Sequence, residues 1–104
     1  MDPGAARAWL DHHTVHAPPV LRERVKRHVA AVSATGTVAD ILARASRFAL
    51  NQVAAHPDGG RSIALDLLAA DALITLALLA QSQVSPDRLE MFASDLLLVP
   101  VESP

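Results

Sequence analysis

The stretch Ser62-Ile63-Ala64-Leu65-Asp66-Leu67-Leu68-Ala69-Ala70-Asp71-Ala72-Leu73-Ile74-Thr75-Leu76-Ala77-Leu78-Leu79-Ala80-Gln81-Ser82 decides the fold. Between Ile63 and Ala80 only Asp66, Asp71 and Thr75 are polar. A helix this apolar all round has no face suited to water, so it is expected at the middle of the molecule. It also takes two carboxylates there, and a buried carboxylate needs a counter-charge, a proton or a metal.

A membrane span is the rival reading of the same residues. Its 18 apolar-rich positions fall at the short end of what crosses a bilayer. Seven Leu and two Ile favour insertion by about 4 kcal/mol in total. Two Asp near the centre cost about 6 kcal/mol on the same scale. No aromatic belt or Lys/Arg cluster marks the ends, so the segment reads as a buried helix of a soluble protein.

Everything else in the composition fits one small domain. The chain has 104 residues, 51% apolar and 19% charged, which is greasier than an ordinary domain. A core this small hides apolar surface inefficiently. Self-association, most simply a two-fold homodimer, is therefore expected. A net charge of −2 gives no field toward nucleic acid or anionic lipid. With no cysteine, disulfides, thiolate catalysis and cysteine-based metal centres are excluded. The N-terminus lacks a basic-then-apolar signal segment, so a cytoplasmic protein is expected. Eight Arg against one Lys, with abundant alanine, suits a GC-rich bacterial source.

Punctuation divides the chain, residues 1–104, into five helices without a linker or repeat. Asp2 and Pro3 open the first, which runs to about Val15 before Pro18 and Pro19. The second runs from Pro19 to about Ala34, and Gly36 follows as a left-handed residue. Thr37 caps the third, with Asp40 completing a capping box. Its apolar stripe is Val38, Ile41, Leu42, Ala45, Phe48, Ala49 and Val53. The break His56-Pro57-Asp58-Gly59-Gly60 precedes the central helix, about 62–82. Ser85-Pro86-Asp87 starts the fifth, and Pro100 ends it. Short connections make neighbours antiparallel. The predicted fold is all-α: a compact five-helix up-and-down bundle around a central apolar helix.

Chemistry has few places to reside. His12, His13 and His16 crowd the first helix, and on a continuous helix His12 and His16 lie one turn apart, the spacing a zinc ion requires. His28, Asp66 or Asp71 would have to supply a third ligand. The solvated end of a polar helix explains the same histidines, because H-H-x-x-H lacks the glutamate of a hydrolytic zinc motif. Asp66 and Asp71 point about 140° apart and do not form a dyad. Each can pair with an arginine of the second or third helix, or serve as a general base. Thr75, one turn on, makes Asp71 the preferred functional acid. Arg22, Arg24, Lys26, Arg27 and His28 make the second helix basic, yet Glu23 pairs with Arg27 and no aromatic residues interleave for stacking. Trp9 reads as a core anchor.

The leading functional expectation is a small oligomeric or interaction protein whose partner is a second copy of itself. The sharper alternative is a metal-assisted hydrolase of a phosphoryl or acyl ester, with His12, His16, His13 or His28 holding a divalent transition metal such as zinc and Asp71 or Asp66 as base. Anion or nucleic-acid binding by the basic second helix is a third expectation.

Overall fold

One proline pair, glycines and one capping box set most of the element boundaries. A computed structural model describes residues 3–32 and 35–97. The helices are α1 (Pro3–His13), α2 (Pro19–Ala30), α3 (Val38–Ala55), α4 (Gly60–Val84) and α5 (Leu89–Leu97), with a 3-10 turn at Pro86–Arg88 before α5. Among the described residues there is no strand. The chain is an all-α bundle. The expected Asp2 cap, the reach of α2 into Ser33 and Ala34, and the stop at Pro100 lie outside the described residues.

Three ends differ from expectation. α1 stops at His13, not Val15, because the Thr14 hydroxyl donates to the Leu10 carbonyl at 2.8 Å and Ala17 N–H closes a turn on Thr14 O at 3.0 Å. α2 stops at Ala30, where the Ala31 N–H is shared among preceding carbonyls. Ser85 does not cap α5 directly; Pro86 begins a tighter turn, closed by Arg88 N–H on Ser85 O at 3.0 Å, and α5 follows.

The start of α3 follows the sequence closely. Thr37 Oγ1 accepts from Asp40 N at 3.1 Å, and Asp40 Oδ2 accepts from Thr37 N at 3.2 Å. Gly36 has φ of +94°, and a Cβ there would meet Asp40 Oδ2 at 3.0 Å. At the other break, a Cβ on Gly59 would stand 1.8 Å from Ile63 Cγ1. That glycine is what lets the first turn of α4 fold over the loop.

α3 and α4 form the most extensive pairing, with α2 and α5 packed on α4 and α1 on α2 and α3. The reason is size. α3 buries Ala39, Ala45, Ser46 and Ala49, and α4 buries Ala69, Ala70, Ala77 and Ala80. Small side chains on both surfaces allow close approach of the backbones. Leu10, Val25, Leu42, Leu73 and Leu96 fill the space around this seam, with Trp9 and Phe92 packed against it.

α4 is the organising helix, but it is not enclosed on every side. Its buried face carries Asp66 and the alanines with Leu73. The opposite face, which holds larger leucines, is open to solvent: Leu67 is 51% exposed, Leu68 57% and Leu79 40%. Expected burial all round is corrected: the alanines and Leu73 are buried, while Leu67, Leu68 and Leu79 stand outside.

Candidate functional site

Among the described residues, Asp66 is the one carboxylate carried into the interior. It is buried and sits between two residues of α2, one turn apart. Arg24 Nη1 donates to Asp66 Oδ1 at 2.6 Å, and His28 Nε2 donates to the same oxygen at 3.0 Å. Arg24 Nη1 also reaches Ser62 O at 3.2 Å and Ser62 Oγ at 3.4 Å. Burial works to raise the Asp66 carboxyl, but the hydrogen bonds and charges of Arg24 and His28 outweigh it and hold the group below its ordinary value. A carboxylate kept ionised by an arginine and shielded from solvent is a joint between helices, and Asp66 therefore joins α2 to α4 through the expected arginine pairing. The outer nitrogen of His28, Nδ1, is buried without a partner, and the ring meets Phe48 edge-on at 5.7 Å.

The histidines of α1 are dispersed. His12 is exposed on the last turn and His16 is exposed beyond the helix end, so the one-turn geometry expected of the pair does not form. His13 is bound up in a local network instead. Its ring stacks on Trp9 at 3.9 Å, and its Nδ1 donates to the Trp9 carbonyl at 2.9 Å. Trp9 Nε1 donates to Gln83 Oε1 at 3.0 Å, and Gln83 Nε2 faces His13 Nε2 at 3.4 Å. This clamps α1 to the C-terminal end of α4. His28, on α2, is committed to its hydrogen bond with Asp66 of α4. Among the described residues no three His, Asp or Glu side chains converge as a metal would need.

The basic cluster of α2 is likewise partly consumed. Arg24 and His28 turn inward to Asp66, and Lys26 Nζ pairs with Asp11 Oδ1 of α1 at 2.8 Å. Arg22 is half-buried, leaving Arg27 as the exposed cation of the five. On α3, Arg47 donates to the Asp95 carbonyl at 3.4 Å, and Arg44 donates to the Thr35 carbonyl.

Asp71 is exposed, not buried, because it lies about 140° around the helix from Asp66. Thr75 does not orient its carboxylate; the Thr75 hydroxyl donates to the Asp71 main-chain carbonyl at 3.1 Å. Around Asp71 and Thr75 lie Ala64, Leu67, Leu68 and Leu79, all exposed, with half-buried Leu78 and Ser82. All eight fall within about 60° of one line along the helix. The result is a narrow leucine face with a polar middle, about 27 Å long at 1.5 Å per residue.

A second feature was not legible in any local motif. A groove of about 430 Å³ opens where α1, the start of α3, the end of α4 and α5 meet, with Trp9, Val84, Met91 and Phe92 on its walls and Arg88 and Asp95 at its polar edge. Its size suits a small molecule. Asp40, one of its acids, is occupied by the Thr37 cap.

Comparisons with protein-family models, with curated proteins and with solved structures find no match to this chain. The outer face of α4 and the Asp66 joint are thus read on their own chemistry.

Proposed function

We propose that this protein is a self-associating helical module, a homodimeric interaction protein whose contact surface is the outer face of α4. The observation that carries this reading is the pair of leucine patches on one open face of α4, Leu67 with Leu68 and Leu78 with Leu79, on either side of Asp71 and Thr75. Large apolar side chains grouped on one exposed face, and not scattered singly, mark a contact surface. The rest of the molecule supports the face as a rigid platform, because the alanine seam and the Asp66 joint fix α4 against α3 and α2.

α4 is also long and apolar enough to cross a membrane, with a mean hydropathy of 2.1 over its best window. Two features favour a protein partner over lipid. Asp71 stands in the middle of the exposed face, where a charge near a bilayer centre costs about 2.5–3.5 kcal/mol. The helix also has its other side committed to α3, α2 and α5.

Light scattering at tens of micromolar tests the reading: a dimer mass is expected, and a monomer mass that persists at high concentration overturns it. Flotation with neutral and anionic lipid vesicles is the companion measurement. No co-flotation is expected, and stable co-flotation of a monomer would transfer the face to lipid.

A further inference from the structure

The exposed leucines of α4 are placed symmetrically about position 73, and we infer from this that two copies pair through α4 in antiparallel register, with Asp71 of each diagonally opposite the partner's Thr75. The inference rests on the proposed self-association and specifies its geometry. Four pairs of face residues are symmetric along the helix: Ala64 with Ser82, Leu67 with Leu78, Leu68 with Leu79, and Asp71 with Thr75. The midpoint of each pair falls within half a residue of position 73. Symmetry in height is not enough, since a two-fold axis perpendicular to both helices brings together residues on the same lateral side. The leucines and the two ends meet this condition, while Asp71 and Thr75 lie about 20° to either side of the centre line and so face each other diagonally. At about 100° per residue, Leu67 and Leu78 edge one side of the strip and Leu68 and Leu79 the other, while Ala64 and Ser82 lie on its centre line.

Size and charge follow the same symmetry. Ala64 and Ser82 are small, so the ends of the pair can close, and leucine meets leucine on both flanks. At the centre a carboxylate meets a hydroxyl. Thr75 Oγ1, which donates to its own Asp71 carbonyl at 3.1 Å in the single chain, is a rotatable donor within reach of an opposed carboxylate. The parallel alternative places Asp71 against the partner's Asp71 at one height, which opposes association. The antiparallel register separates the two carboxylates by four residues, or about 6 Å along the axis, and gives each a donor. An isologous contact of this kind is closed, so assembly stops at two copies.

The absence of cysteine makes a direct test possible. Leu68→Cys and Leu79→Cys are made as separate single variants of the full chain, both at exposed positions, and are oxidised mildly alone and after mixing. A disulfide requires Cα atoms within about 7 Å. Covalent dimer is expected in the mixture and not in either variant alone. Covalent dimer in each variant alone, with no gain on mixing, overturns the antiparallel register while leaving self-association intact. A light-scattering dimer that never cross-links also overturns it, placing the contact on another surface. A chain that is monomeric by light scattering and never cross-links removes both the register and the functional reading beneath it.

Discussion

Arg24 Nη1 stands 2.6 Å from Asp66 Oδ1, across the α2–α4 contact and largely out of water. Five residues further along α4, Asp71 is exposed. One helix therefore carries two aspartates in opposite electrostatic settings. The first holds the bundle together, and the second faces outward.

Asp66→Asn is expected to destabilise the fold by about 3 kcal/mol, the low end for breaking a buried ion pair, because it leaves the Arg24 and His28 donors facing a neutral amide. The 16% exposure of the Arg24 side chain is why the low end applies. Asp71→Asn is expected to change stability by no more than about 0.5 kcal/mol, as for other exposed positions. Chemical denaturation of both variants below the association concentration measures the contrast.

The same joint sets an acid limit. The Asp66 carboxyl is held below its ordinary value of 3.8, so the folded state prefers the ionised form more than the unfolded chain does. Its contribution is complete above the ordinary value and is lost as pH falls through the lower folded-state value. The stability gap between the native chain and Asp66→Asn should therefore be constant near pH 5 and shrink below pH 4. Melting curves at pH 5, 4 and 3 give the comparison, and a gap that widens toward pH 3 would contradict the sign.

The α3–α4 seam should resist enlargement more than the outer face. Ala77→Leu places extra carbon atoms where Ala77 has no exposure, and overpacking a close helix pair costs about 1–3 kcal/mol. Leu73→Ala, at a fully buried leucine, should cost about 2–5 kcal/mol through the cavity it leaves. Denaturant midpoints measure both.

Gly36→Ala is a local test of the α3 cap. The residue has φ of +94° and no room beside Asp40 Oδ2. A loss of about 1–2 kcal/mol is expected from the left-handed backbone alone, with weaker amide protection at Thr37 and Asp40 in hydrogen exchange.

The sequence made the helices readable because their stops are chemical: Pro18-Pro19, Gly36-Thr37, Gly59-Gly60 and Pro86 act locally. It also made Asp66 readable as an arginine partner, since the demand for a counter-charge follows from burial. Which side of α4 is buried was not readable. Leucine and alanine are both apolar, and only the approach of α3 selects the alanine side and leaves Leu67 and Leu68 outside. The histidine grouping failed for a related reason. Thr14 turns the chain by bonding to Leu10, and Trp9 with Gln83 takes up His13, through contacts that no local spacing announces. The groove beside Trp9 and Phe92 draws on four helices and the 3-10 turn and leaves no trace in any one of them.

Sedimentation equilibrium of the native chain beside Leu68→Asp and Leu79→Asp tests whether the outer face of α4 holds two copies together. The native mass is expected to be twice the 11.0 kDa chain at tens of micromolar. Both variants should give the single-chain mass while their circular dichroism stays helical. A native chain that sediments at 11.0 kDa, or variants that dimerise as well as the native protein, would contradict it.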